Sequence, residues 1–479
     1  MNQQQMPVVT GLKDYMHKQR YSFHVPGHKD GRIVPEEMQR CFRELMRLDA
    51  TEVANLDDLY HPSGILRDGE ALLSEYYQTE ASYFLVNGST VGNLTMIMAT
   101  VQPGDRVLVQ RDSHKSVFNG LRLAGAVPVL LAPAIDPQTG FGHAVSEQAL
   151  DEALCRFPDA RALILTYPNY YGMAGRIRSL IAKAHAHDLV VLVDEAHGPH
   201  FHLGAPMPPS ALDQGADIVV HSAHKMLPAL TMGAWLHCKG GRVQPAKIAA
   251  IREMLQTSSP SYPIMASLDL ARWFIAGLSS KRIAAICQKR EAFVQQLDTI
   301  PGITVLKSTD SFQIDPFKLT LCLDYRESGY MWQDRLIEAG IYPELADPRH
   351  VLLVLGLTDK ETYSDAFDRI RSSLSGFHRR TEKAGETHIP VFPLVQALGR
   401  SIQEMANDSI EIIDLAEAEG KLAAESIIPY PPGIPLILQG EVISAGQIRS
   451  AGALLAAGAV FQNTWIKHYK MMIYSSGDA

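Results

Sequence analysis

The sequence predicts an α/β protein with a large domain on a mainly parallel sheet, a smaller α/β domain and a C-terminal α+β domain. Three observations predict it. Short apolar runs alternate with helical stretches from Tyr83 to Trp235. Nearly every run ends in a polar, turn-forming cluster, and ligands of parallel sheets bind beyond the carboxyl ends of the strands. Past residue 300 the runs shorten and the pattern changes. The expected boundaries are 1–55 for an N-terminal segment, 56–300 for the large domain, 301–378 for the small one and 393–479 for the C-terminal domain.

Composition narrows the class. At 479 residues the chain is long for one hydrophobic core. It is 46% hydrophobic and 20% charged, as an ordinary soluble protein is. With 44 Lys and Arg against 52 Asp and Glu, the formal charge of −8 argues against nucleic acid as a partner. No apolar run approaches the roughly 20 residues of a membrane span. Met1 to Gln5 lack the basic-then-apolar pattern of a leader, so a cytoplasmic location is expected. Five scattered cysteines without CxxC spacing suggest reduced thiols and no zinc site.

The N-terminal segment holds Pro26-Gly27-His28-Lys29, a Pro-Gly turn flanked by groups suited to a site, though a plain surface turn fits equally. Leu56 to Gly64 is a second turn-rich stretch, followed by a helical pattern through Leu66, Ala71, Leu72 and Tyr76. Tyr83 to Val86 reads as a buried strand, Asn87 to Asn93 as a small polar turn, and Leu94 to Thr100 as an apolar helix. Strand, polar turn and helix suit an anion, because free N–H groups and the positive helix end face it. A simple N-cap by Ser89 or Thr90 accounts for the same residues. Further strands are expected at Val107 to Val109, ending toward His114, at Val127 to Leu131 and at Leu163 to Thr166, with a helix from Ile177 to His187. Past Trp235, residues 245–300 look helical, broken at Thr257 to Pro263. Short strands and helices fill 301–375, His378 to Thr387 reads as an exposed linker, and Pro429 to Pro435 as a stiff extended stretch.

Two strand ends carry the chemistry. Leu189 to Val193 runs into Asp194-Glu195-Ala196-His197-Gly198, and Ile218 to Val220 leads to Ser222-Ala223-His224-Lys225. A lysine just past a buried strand loses hydration unless it is paired or used. An acid at the end of another strand completes what pyridoxal phosphate requires. The lysine becomes the covalent anchor, and the acid keeps the pyridine nitrogen protonated so that the ring accepts electrons. His197, His200 and His202 lie close together but match no metal-binding spacing, so no metal is expected.

Pro26 to Lys29, Asp194 to Gly198, Ser222 to Lys225 with Leu230-Thr231, and Tyr430 to Pro435 leading to Gly440-Glu441 occur in an order similar to that of the ornithine/lysine/arginine decarboxylase family. The resemblance covers nearly the whole chain and is nearest the compact members, without the N-terminal wing domain. It implies the aspartate-aminotransferase fold, fold type I of the pyridoxal-phosphate enzymes. It also implies Lys225 as the Schiff-base lysine and Asp194 as the pyridinium partner. Ser89, Thr90, Ser222 and His224 would then lie at the phosphate, with His114 and Ala196 on the two ring faces and His197 beside the cofactor. Lys225, Asp194, His114 and His224 are the expected catalytic set. His28, Asp58 and Glu441 are substrate candidates. Met232 stands where many members have glutamine.

The activity implied is decarboxylation of a basic amino acid, arginine to agmatine first and lysine to cadaverine next, in polyamine biosynthesis. A homodimer or a multiple of one is expected, with no nucleic-acid or membrane partner. An aminotransferase or aldol-type lyase on the same fold would retain Lys225 and Asp194, and a non-catalytic cofactor-binding regulator would too. The first usually wants an arginine clamp for the α-carboxylate, and no arginine is placed for it. The regulator would need an attached partner module, and residues 393–479 have no evident helix-turn-helix.

Overall fold

A computed structural model describes residues 1–18, 21–53, 56–380, 392–398, 403–430 and 433–475. Within the expected linker, residues 381–387 lie outside the described residues, as do Pro431 and Pro432 of the proline-rich stretch and Asn55 at the expected first boundary. The chain forms two compact units. One comprises Met1–Thr100 with Val190–Ser279, the other Val101–Leu189 with Ser280–Ala479.

In the first unit the strands run in the order Ala81–Leu85, Ala234–Cys238, Ile218–His221, Val190–Asp194. The first two pairings are antiparallel and the last is parallel, with Asp194 abreast of Val220. The β-branched run Val190-Val191-Leu192-Val193 and the run Ile218-Val219-Val220 are almost wholly buried, as parallel strands covered on both faces require. Their parallel sense brings both carboxyl ends to one edge. The helix Gly88–Thr100 packs on the Ile218–His221 strand so closely that a Cβ on Gly92 would lie 2.1 Å from Val220 Cγ2. That helix starts six residues earlier than its apolar pattern suggests. Gly88, at φ +78°, makes the sharp entry, and Ser89 to Asn93 form its first turns.

In the second unit, Arg106–Gln110 pairs in parallel with Val127–Leu131 and with Ala162–Thr166, while Val395–Ala397 adds an antiparallel edge. The helix expected at Ile177 to His187 is Arg178–Ala186. A four-stranded antiparallel sheet, ordered Ile303–Val305, Lys318–Leu323, His350–Val354, Leu345–Ala346, forms the small α/β layer. The C-terminal residues close around Ile427, Ile437, Ile466 and Met471. There Ile410–Asp414 pairs with Lys470–Tyr474. The helix Ala445–Ala456 begins with a reciprocal cap between Ser444 and Gln447, which satisfies two otherwise orphaned N–H groups.

Candidate active site

The first unit gathers most of the expected residues at the edge where Asp194 and Ser222 emerge. Asp194 is 5% exposed. Its Oδ1 accepts the Ala196 N–H at 3.1 Å and its Oδ2 accepts from Asn93 Nδ2 at 2.8 Å. Two donors to one carboxylate fix its orientation. Asn93 sits on the buried face of the Gly88–Thr100 helix. The sequence reading missed it, because no spacing rule announces an asparagine inside a helix.

Lys225 lies on the short Ala223–Met226 helix, half-buried, with Nζ 3.0 Å from His197 Nε2. Ser222 Oγ donates to Ser89 Oγ at 2.7 Å, so the hydroxyl of the lysine loop meets that of the helix N-terminus. His224 Nδ1 lies 3.1 Å from the Gly233 carbonyl. Burial lowers the His224 pKa and the Lys225 charge adds to that, against the opposing Gly233 hydrogen bond. Ala196 and His197 are buried beside Asp194, and Thr90 is exposed at the helix start.

The residues present fit pyridoxal phosphate. The first N–H groups of the Gly88–Thr100 helix lack intrahelical acceptors by geometry, and open space surrounds the Cβ position of Gly88. Asn87 Oδ1 is buried without a hydrogen-bond partner at the same turn. Ser89, Thr90, Ser222 and His224 would hold the phosphate, Asp194 the ring nitrogen and Lys225 the carbonyl carbon. Bound there, the cofactor supplies the electron sink for bond breaking at the substrate α carbon. Met232, the departure from the family pattern, holds a left-handed φ of +77° while its carbonyl accepts the Gly88 N–H at 2.9 Å, so it ties the lysine loop to this turn through its backbone.

His114 lies in the second unit as the N-cap of the Lys115–Ala124 helix, its Nδ1 2.8 Å from Ser116 Oγ. The proline-rich stretch reaches it. A Cβ on Gly433 would sit 3.3 Å from His114 Nε2, and the Gly433 φ of +91° suits a residue without one.

Each of the three substrate candidates has partners of its own in the structure. Glu441 is 1% exposed and fully occupied. It takes Arg111 Nε at 3.3 Å and Nη2 at 2.7 Å, and the Leu438 N–H at 2.9 Å. It is the counterion of a buried arginine, since an unpaired cation there would be costly. Asp58 caps its own turn, accepting the Tyr60 N–H at 2.8 Å and lying 3.5 Å from His61. Both ring nitrogens of His28 are engaged within the N-terminal segment, by Asp49 at 3.1 Å and the Gly31 N–H at 3.3 Å. All three read as solvated acids or turn polar groups in sequence, where pairing is invisible.

Among the described residues no helix is long and apolar enough to cross a membrane. Comparison with known proteins identifies the family. Residues 6–363 match the family model for the Orn/Lys/Arg decarboxylase major domain, and residues 391–463 match that family's C-terminal domain. Arginine decarboxylase of Bacillus subtilis is 33% identical across 93% of this chain and 92% of its own length. Uncharacterized protein YaaO of the same organism is 42% identical across 91% and 92%. Lysine decarboxylase A from Pseudomonas aeruginosa superposes with a TM-score of 0.82 at 18% identity, covering 98% of this chain and 80% of that one. The chain therefore belongs to the Orn/Lys/Arg decarboxylase family and is a pyridoxal-phosphate-dependent decarboxylase of fold type I.

Proposed function

We propose that this decarboxylase acts on arginine, giving agmatine and carbon dioxide, with lysine to cadaverine as the next preference, and that it serves polyamine biosynthesis. The observation that carries the reading is the 33% identity to an arginine decarboxylase over nearly the full length of both chains. The proposal gives the residues of this edge the following roles. Lys225 holds the cofactor and, with His197 3.0 Å from its Nζ, is the group able to return a proton to the α carbon once carbon dioxide has left. Asp194 is held toward the ring nitrogen by Asn93 and the Ala196 N–H. His224, its imidazole pushed toward neutrality by burial, offers a hydrogen bond at the phosphate without adding to the cationic charge. The stacking roles of His114 and Ala196 rest on the family resemblance.

A homodimer is part of the proposal. In the N-terminal segment Tyr21, Phe23, Val25 and Ile33 are 74%, 93%, 67% and 64% exposed, and the Gln39–Leu48 helix has no buried residue. Exposed apolar side chains in such density mark an interaction surface, and a second copy of the chain is the partner a self-complementary interface supplies.

The deciding experiment supplies purified protein with pyridoxal phosphate and arginine, lysine or ornithine, and measures carbon dioxide and amine. Highest kcat/KM on arginine is expected. Turnover of lysine alone, or keto-acid formation without carbon dioxide, refutes the substrate assignment. Lys225→Ala should abolish both turnover and borohydride-fixable cofactor, and fixable cofactor in that variant would overturn the anchor.

A further inference from the structure

An uninterrupted row of buried side chains joins the two strand ends that bear Asp194 and Lys225. Glu195 follows Asp194 directly, and His221 closes the other strand one residue before Ser222. Glu195 Oε2 lies 2.8 Å from His221 Nε2, and both side chains are 0% exposed. His221 Nδ1 is 3.1 Å from His237 Nε2, and His237 Nδ1 is 2.7 Å from Ser82 Oγ. Ser82 Oγ is in turn 2.7 Å from Thr79 Oγ1, which reaches the Ser74 carbonyl at 3.4 Å. Glu195 is held from the other side by Ser210 Oγ at 2.8 Å and the Ala211 N–H at 2.9 Å. Tyr77 lies against both imidazoles, with ring centres 5.1 and 4.5 Å away, and shields the row from water.

The charge state is consistent along its length. Burial holds His221 and His237 well below the ordinary histidine range and Glu195 well above the ordinary carboxylate range. In the uncharged arrangement the Glu195 carboxyl donates to His221 Nε2 and His221 Nδ1–H to His237 Nε2. His237 Nδ1–H then donates to Ser82, Ser82 to Thr79 and Thr79 to Ser74. Every member donates once and no charge is buried, the condition under which a polar row in a core is stable.

Its position gives it a task. The parallel ladder stops at Asp194 and Val220. Beyond that point the departing loops are tied by the Ser222 N–H to the Ala196 carbonyl at 3.2 Å, by Glu195 to His221, and by His197 to Lys225 at 3.0 Å. Glu195 adjoins Asp194 and Ala196 in the chain, and His221 adjoins Ser222. We propose that Glu195, His221 and His237 are positioning residues that fix Asp194 relative to Lys225 and thereby set cofactor affinity and the protonation behaviour of the bound ring, a reading that rests on the pyridoxal-phosphate assignment of this edge. A displacement of about 1 Å between anchored groups is enough for large losses at a reacting centre.

The test compares Glu195→Ala, Glu195→Gln and Ser82→Ala with the unmodified protein. The readouts are the thermal midpoint of the cofactor-free protein, pyridoxal phosphate Kd by fluorescence quenching, and the pH midpoint of the bound cofactor's visible band. Glu195→Ala should weaken cofactor binding about tenfold and shift the pH midpoint by at least about half a unit. Glu195→Gln retains an N–H to donate to His221 and should recover most of the lost affinity. Ser82→Ala cuts the far end and should shift the same midpoint by less, which keeps the test decisive if Glu195→Ala does not fold. Folded variants with unaltered Kd and pH midpoint overturn the proposal, leaving only a packing role. Failure of the unmodified protein to take up fixable cofactor overturns instead the reading beneath it, and the positioning role with it.

Discussion

Glu441 decides between two uses of an acid near the C-terminus, and Glu441→Gln separates them. The substitution keeps shape and removes charge. Arg111, whose side chain is 3% exposed, is left with the Pro435 and Leu436 carbonyls, each at 2.9 Å, and with one neutral oxygen in place of a carboxylate. One of the two contacts to Arg111 also becomes a donor facing a donor, and with the amide nitrogen at the Oε2 position the Leu438 N–H loses its acceptor as well. Removing one partner of a buried pair costs about 3–5 kcal/mol. For a cooperative unit of this size each kcal/mol moves the thermal midpoint by roughly 2 °C, so a fall of about 6–10 °C is expected. Differential scanning fluorimetry reads the midpoint, and carbon dioxide release reads KM for arginine and lysine on the surviving fold. An unchanged midpoint with KM raised tenfold or more would refute the structural role and return Glu441 to the substrate.

His350 and Asp347 give a pH signature. Burial alone would depress His350, but the facing Asp347 carboxylate, at 2.9 Å from each oxygen, lifts its pKa from 6.5 to about 9. A folded pKa above the unfolded one adds stability that is complete below about pH 6.5 and lost as pH climbs through 9, on the order of 3 kcal/mol at most. Urea midpoints should therefore fall from pH 6.5 to 9.5 by more in the native protein than in His350→Asn, and parallel curves would remove the pair from the account. His114→Ala should keep the fold, weaken cofactor retention and lower kcat, and unaltered kinetics would leave His114 as a helix cap alone. Phe23→Asp with Val25→Asp should convert a dimer to a monomer by light scattering, and an unchanged mass would place the interface elsewhere.

The strands that carry the chemistry were legible because parallel strands buried on both faces are written as unbroken β-branched runs. Asp194 and Lys225 stood out because polar groups directly after such runs have few structural uses. What hid was pairing. Nothing in the order of residues says that Glu441 faces Arg111, that Asn93 turns toward Asp194, or that Glu195 meets His221, since each partnership joins segments distant in the chain. The start of the Gly88 helix hid for a different reason. Gly, Ser, Thr and Asn are poor helix interiors but good first turns, so an apolar-periodicity reading begins one or two turns late.

The contact of Gly433 with His114 bears on what counts as a removable part. The C-terminal residues have their own apolar centre and look like an appendage. Yet the Gly433 carbonyl accepts the Lys115 N–H, and Lys115 Nζ reaches Gln462 at 2.8 Å. The helix that presents His114 is thus moored at its first turn by residues more than three hundred positions downstream. A chain cut before Pro429 would be more than a shorter enzyme. It would retain His114 while losing Gly433 and Gln462, which hold the first turn of its helix.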